Sequence, residues 1–235
     1  MSNVISINQE KCIKCGLCIE DCTARNIKKK DGEIKVISNT CLLCGHCVAV
    51  CPQKAIEIKT LDSSEIIELG KNKQLIDDTE LLTFMKSKRS IRKYKNIPVE
   101  KEKLEKIIEA GRFSSTGGNR QPIRFTIVHT KENIDILRNM SIETLYNLSK
   151  NAGKEIEGFS AKATARYVKM WNEMYSLNNS GIDRLLFHAP AVFLIHGDTR
   201  INPAPEVDGA LAASQMVLMA EALGLGTCYL GFLKI

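Results

Sequence analysis

The chain has 235 residues, 44% hydrophobic and 26% charged, a balance that excludes a mainly disordered polymer and allows one large domain or two unequal ones. Its formal charge of +6 comes without an aromatic-and-basic motif, so no nucleic acid is expected as a partner. Residues 210–226, the longest nearly apolar stretch, are interrupted by Ser214, Gln215 and Glu221 and read as a buried helix, so no membrane partner is expected either. The opening MSNVISINQEK lacks a basic start followed by an apolar run, and the expected location is cytoplasmic.

Eight of the nine cysteines lie between Cys12 and Cys51, with Cys228 far away. With nothing pointing to export, this density favours metal binding over disulfides. CIKCGLCIEDC at residues 12–22 recurs as CLLCGHCVAVC at residues 41–51, and every cysteine returns after 29 residues. A short alternating segment follows each copy, GEIKVI at residues 32–37 and AIEIK at residues 55–59, and each is expected as a brief strand. Two equivalent halves imply a unit with pseudo-twofold symmetry. It is too small to rely on an apolar core, so bound metal must supply much of its folding free energy.

A C-x2-C-x2-C-x3-C run puts three thiolates on one tight loop, suited to three corners of an iron–sulfur cubane, while the fourth cysteine commonly serves the other cluster. That crossing assigns one [4Fe-4S] cluster to Cys12, Cys15, Cys18 and Cys51, and a second to Cys41, Cys44, Cys47 and Cys22. Structural zinc sites use separated pairs of cysteines and explain the repeated triplets poorly. Pro52 follows Cys51, whereas Thr23 follows Cys22. The first sixty residues thus resemble the bacterial two-cluster ferredoxin module. Gly16 and Gly45 are expected to let backbone N–H groups approach cluster sulfurs. His46 reads either as a neighbour of the cluster ligands or as a solvent-facing side chain. Lys28, Lys29 and Lys30 read as a docking point for an acidic electron donor protein or, more commonly, as a solvated turn.

Residues 61–79 turn polar and charged and read as a linker, with a second domain over residues 80–235. There, residues 101–112 have helical spacing after Pro98. The turn-rich SSTGGNRQP leads into the strand-like IRFTIVHT and a helical stretch over residues 131–150. A further helix is expected over residues 161–177, a strand at PAVFLIHGD, a helix over residues 209–223, and a third short strand over residues 227–231. The alternation indicates an α/β layered domain. Tyr167, Trp171 and Tyr175 form one helical stripe, favoured as packing over a substrate lid. Cys228 reads as a small buried hydrophobe.

Three segments of this domain carry groups that suit a planar, phosphorylated heterocycle. In SKRSIRKY, Arg89, Ser90 and Arg92 supply forked donors and a hydroxyl. In SSTGGNRQP, glycines permit close backbone approach, and the Asn119 and Gln121 amides can pair with a ring edge. The third is residues 208–231, a long helix running through glycine turns. In this order and at these separations, the segments resemble the nitroreductase family of flavoproteins. The resemblance implies an α+β FMN-binding fold, usually a homodimer with two flavins at the subunit interface. It implies that Arg89, Ser90 and Arg92 hold the FMN phosphate, ribityl chain and pyrimidine edge. Ser115, Thr116 and Gly117 would come from the partner subunit, Asn119 would bond the pyrimidine part and Gln121 brace that loop. Leu230 and Gly231 would place backbone donors near the flavin N5. The chain stops at GFLKI, where family members continue, so either a longer chain or an incomplete flavin site is expected.

Together these readings describe a small two-cluster ferredoxin-like domain ahead of a nitroreductase-like α+β flavin domain. Two oxidised clusters, at roughly −2 each, and a flavin phosphate at about −2 would bring the loaded protein near neutrality. The expected activity passes electrons from the clusters to FMN and on to a small organic acceptor: a nitroaromatic, a quinone or an enone. An external electron donor is expected in place of NAD(P)H, and no catalytic side chain is assigned. The alternative is a non-catalytic protein that transfers electrons or holds flavin.

Overall fold

The computed structural model describes residues 4–69, 75–150, 153–154 and 160–233, the side chain of Ala163 aside. The chain divides into two units: Met1–Asp77 with Thr116–Gln121, and Asp78–Ser115 with Pro122–Ile235.

In the first unit, β1 (Ile5–Ile7), the helical turn α1 (Leu17–Glu20) and β2 (Ile27–Lys30) are followed by β3 (Glu33–Val36), the turn α2 (His46–Ala49) and β4 (Ile56–Ile58). β1 pairs with β4 and β2 with β3, both antiparallel. A shift of 29 residues carries one pair onto the other in register: Ile5 faces Ile58 as Ile34 faces Lys29, and Ile7 faces Ile56 as Val36 faces Ile27. The backbone repeats too, with left-handed φ at Lys14 and Leu43, Gly16 and Gly45, and Arg25 and Lys54. Ile5, Ile27, Ile34, Ile56 and Ile58 are buried together with Cys18 and Cys47. Those isoleucines, with buried Ala55, form the small apolar core among the unit's described residues, as its size requires.

Two elements here lie outside the sequence expectation. β1 was not anticipated, and Lys28, Lys29 and Lys30 stand exposed on β2 instead of forming a turn. The turn is the next dipeptide, Asp31 and Gly32, with φ of 54° and 75°. Two consecutive left-handed residues make the hairpin turn whose twist matches its strands, and Asp-Gly is its usual sequence.

The second unit opens with α3 (Asp78–Ser87) and α4 (Lys101–Arg112). There follow β5 (Ile123–Val128), α5 (Lys131–Ser149), α6 (Ala161–Asn179), β6 (Val192–Gly197) and α7 (Pro205–Ala222). β5 and β6 pair antiparallel, from Ile123 opposite Gly197 to Val128 opposite Val192. Alternate side chains on these strands face opposite ways, so the ribbon holds two cores. Phe125, Phe193 and Ile195 pack with Ile107 of α4 and Met216 and Ala220 of α7. Val128, Val192 and Leu194 pack with Ile142 and Leu145 of α5 and Trp171 and Met174 of α6. Gly111 lets α4 meet α7 closely: a Cβ there would lie 2.8 Å from Met216 Cγ.

The antiparallel ribbon between helices makes this unit α+β; the alternation of elements had pointed to an α/β layering. The expected strand at residues 227–231 is reduced to one parallel bridge, Ser90 to Thr227, followed by a 3-10 turn at Gly231–Leu233. Tyr167, Trp171 and Tyr175 do pack: Trp171 is fully buried, and Tyr175 stacks on Tyr146 with ring centroids 4.0 Å apart. No helix among the described residues is long and apolar enough to cross a membrane.

Candidate functional site

The eight thiols of the first unit fall into two groups, each drawing on both copies of the repeat. Cys12, Cys15, Cys18 and Cys51 line one cavity together with Gly16 and Pro52. Burial raises the Cys18 thiol pKa, and the neighbouring thiols that add to the rise are Cys12, Cys15 and Cys51. Burial likewise pushes the Cys47 thiol up to about 11, with Cys41, Cys44, Cys22 and Cys18 adding to it. Burial and like neighbours hold these two thiols protonated, and a bound cation core would remove that penalty. Among the described residues, no three His, Cys, Asp or Glu side chains are arranged to hold a single metal ion. Four thiols lining one cavity are a donor set that fits an iron–sulfur cluster.

Backbone N–H groups already point at these sulfurs. Asn26 N–H donates to Cys22 Sγ at 3.3 Å, and its repeat partner Ala55 N–H donates to Cys51 Sγ at 3.2 Å. Leu43 N–H donates to Cys41 Sγ at 3.3 Å. Such donors favour the thiolate and tune a bound cluster. Gly16 and Gly45, at φ of 86° and 74°, start the helical turns that carry Cys18 and Cys47. His46 resolves as a largely exposed side chain, its Nδ1 lying 3.5 Å from Asp21 Oδ2.

In the second unit, the segment holding Arg89, Ser90 and Arg92 lies against the one that follows α7. Ile91 N–H donates to the Thr227 carbonyl at 2.9 Å beside the Ser90–Thr227 bridge. Arg89 Nη1 donates to the carbonyls of Lys86 and Lys88, closing the end of α3. Lys88 Nζ sits 5.0 Å from the Tyr229 ring centroid, and the Arg92 guanidinium 5.9 Å from that of Phe187. Arg89, Ser90 and Arg92 are all exposed, so two cations and a hydroxyl are presented within one short stretch. That donor set fits a phosphorylated ligand. Leu230 packs against the α5–α6 core and Gly231 begins the 3-10 turn, so neither belongs to a strand. Cys228 is half-buried, not fully buried, with Sγ 3.4 Å from the Tyr229 carbonyl.

Thr116, Gly117, Asn119 and Gln121 belong to the first unit, whereas Ser115 belongs to the second. Gly117–Asn119 form a 3-10 turn in which Asn119 Nδ2 donates to the Leu42 carbonyl at 2.8 Å. The Thr116 hydroxyl accepts from Gln121 N–H at 3.0 Å.

Two further residues of the second unit lie beside this segment and were not singled out from sequence. Thr227 Oγ1 is buried beside Ser90 with no hydrogen-bond partner among the described residues. Such an orphaned hydroxyl is costly unless a bound molecule or water supplies the missing partner. Tyr94 is half-buried near Cys228 and Arg92, and burial pushes its phenol up to about 12. Its position in SKRSIRKY was visible; its burial was not.

Residues 85–235 match the nitroreductase family model, and residues 11–56 match that of the 4Fe-4S dicluster domain. No curated protein matches the chain. Among solved structures, it is similar to a nitroreductase with bound FMN from Bacteroides fragilis NCTC 9343, at 23% identity, covering 66% of this chain and 71% of that one with a TM-score of 0.45. It is also similar to an FMN-dependent nitroreductase from Clostridium difficile R20291, at 28% identity over 63% and 64% of the two chains, TM-score 0.39. A second FMN-dependent nitroreductase from that organism shows 21% identity over 65% and 60%, TM-score 0.46. The chain therefore spans less than two thirds of either clostridial protein. With the family model matching well over half its length, the chain belongs to the nitroreductase family and carries a 4Fe-4S dicluster domain ahead of the nitroreductase domain.

Proposed function

We propose that this protein is an iron–sulfur flavoprotein oxidoreductase. Two [4Fe-4S] clusters relay electrons from an external donor protein to FMN, and a small organic acceptor is reduced. The observation that carries the reading is the fusion itself: an eight-thiol electron carrier and a nitroreductase domain in one chain. A dicluster domain moves single electrons and has no chemistry of its own. FMN supplies the conversion from one-electron to two-electron transfer.

In this reading Cys12, Cys15, Cys18 and Cys51 hold one cluster, and Cys22, Cys41, Cys44 and Cys47 the other. Arg89, Ser90 and Arg92 hold the phosphate and one edge of FMN, and the Thr227 hydroxyl joins them. Residues 115–121 complete the flavin site from a second copy of the chain. A homodimer is supported by α7, which is apolar on nearly every side yet leaves Val207 and Leu211 exposed at 56% and 47%. α3 likewise buries no residue and exposes Leu81, Leu82 and Met85. A helix apolar all round is normally covered. The acceptor is a nitroaromatic, a quinone or an enone.

The test is anaerobic purification with iron, sulfide and FMN counted per chain, then turnover by dithionite-reduced protein. About eight irons and one FMN are expected, with product formed well beyond one equivalent. Iron and flavin without turnover would leave the non-catalytic electron-transfer protein as the correct description.

A further inference from the structure

The geometry points to a fixed direction through the two clusters: the one held by Cys22, Cys41, Cys44 and Cys47 hands electrons to the flavin, and the other receives them from outside. The inference rests on the flavoprotein reading above and adds the order of the path. The two cysteine loops are copies 29 residues apart, matching in backbone at Lys14 and Leu43 and at Gly16 and Gly45. Whatever sets them apart lies in what covers them.

The cover differs. The Leu42 carbonyl, between Cys41 and Cys44, accepts the Asn119 amide at 2.8 Å. The position matching Leu42 in the first copy is Ile13, and Ile13 is 60% exposed against 37% for Leu42. Beside Gly45, Leu61 Cδ1 lies 3.6 Å from where a Cβ would stand, whereas nothing lies within 4 Å of the equivalent point at Gly16. Cys41–Cys44 is thus a capped loop and Cys12–Cys15 an open one.

The cap is held in place at a cost. Gly118, Asn119 and Gln121 have φ of 60°, 52° and 49°. Three left-handed residues within four are maintained only where surrounding contacts over-determine them. Here Asn119 N–H donates to the Thr116 carbonyl and Gln121 N–H to the Thr116 hydroxyl, both at 3.0 Å. The result aims the Asn119 amide at Leu42. This is the loop that the flavoprotein reading places against FMN, and it is pinned to one cysteine loop only.

Each turn of the relay balances as a chain of single-electron steps. Cys12, Cys15, Cys18 and Cys51 would hold the cluster that takes each electron from a low-potential one-electron donor, and Cys22, Cys41, Cys44 and Cys47 would hold the one that passes it on to the flavin. Two such electrons and two protons from water complete the reduction.

The experiment uses the full chain loaded with iron, sulfide and FMN, as wild type, Asn119→Asp and Asn119→Gly. Aspartate keeps the size and tolerates the left-handed backbone but lacks the amide donor; glycine keeps the backbone freedom and removes the side chain. In hydrogen–deuterium exchange, both variants should speed exchange across residues 41–48 by roughly tenfold, the factor for one lost hydrogen bond, and leave residues 12–19 unchanged. On mixing with dithionite, the clusters should bleach at the wild-type rate while flavin bleaching slows by a similar factor. No change at residues 41–48, equal change in both loops, or a loosened loop with flavin bleaching at full speed overturns the assignment. Wild-type protein without flavin overturns the flavoprotein reading and this direction with it. Exchange on the iron-loaded chain then still decides whether Asn119 caps one loop.

Discussion

Gly226 and Ile91 approach so closely that the Cβ of an alanine at residue 226 would lie 2.7 Å from Ile91 Cγ1 and 2.8 Å from Ile91 Cβ. One clashing atom is the branch point itself, which no rotamer moves away. The approach is what lets Ile91 N–H reach the Thr227 carbonyl and sets Ser90 beside Thr227.

Gly226→Ala should therefore part the two segments and destabilise the second unit by about 1–3 kcal/mol, the usual cost of overpacking. FMN occupancy should fall with it. Urea denaturation and flavin content measure both effects. Gly231→Ala, where no atom of the described residues lies within 4 Å of the added Cβ, is the matched control and should stay within about 0.5 kcal/mol of wild type. Equal stability in the two variants would show that the approach does not matter.

Thr227→Val separates a structural from a ligand-binding hydroxyl. Leaving a buried hydroxyl unpaired costs about 1–3 kcal/mol, so the isosteric valine should leave the flavin-free protein as stable as wild type or more so. Flavin binding should weaken. A variant that loses apoprotein stability and keeps its FMN affinity would assign the hydroxyl to the fold.

Crossed ligation is tested by double substitution. Cys15→Ser with Cys51→Ser removes two ligands of one cluster, so iron loss should match that of either single variant, about four irons per chain. Cys15→Ser with Cys22→Ser strikes both clusters and should empty the protein. If the second pair loses no more iron than Cys15→Ser alone, Cys22 serves the cluster of its own loop.

Tyr94 is held neutral well above the usual tyrosine range, up to about 12, chiefly by burial. Because the folded pKa is raised, its contribution to stability is complete below pH 10 and is lost as pH rises toward 12. Tyrosinate absorbance of wild type and Tyr94→Phe should coincide up to about pH 11 and diverge only beyond it. Divergence near pH 10 would place the phenol in water.

Some of this was legible residue by residue. The cysteine triplets and their 29-residue recurrence are local chemistry, and helices α4, α5 and α6 follow their apolar spacing within a few positions. The Lys28–Lys30 strand was misread although Asp31-Gly32 beside it is a hairpin signal; the charge run outweighed the turn. α3 was not anticipated: Asp78 and Thr79 fell at the end of the linker and no element was read over residues 80–87, although Leu81, Leu82 and Met85 lie on one side of the helix. Leu230 and Gly231 were expected in a short strand over residues 227–231, but among the described residues that segment pairs only through the bridge at Thr227.

By itself, then, the order of residues determined which side chains can bind metal, where most helices run, and that two equivalent halves precede an unrelated domain. Those properties follow from ligand type, spacing and period along the chain. Only the tertiary structure decided that the two long strands run antiparallel, that Thr227 loses its hydration beside Ser90, and that Asn119 caps one cysteine loop and not its copy. Each of these joins residues far apart in the chain, and such contacts are selected by packing and backbone hydrogen bonding over the whole unit, for which local sequence carries no signal.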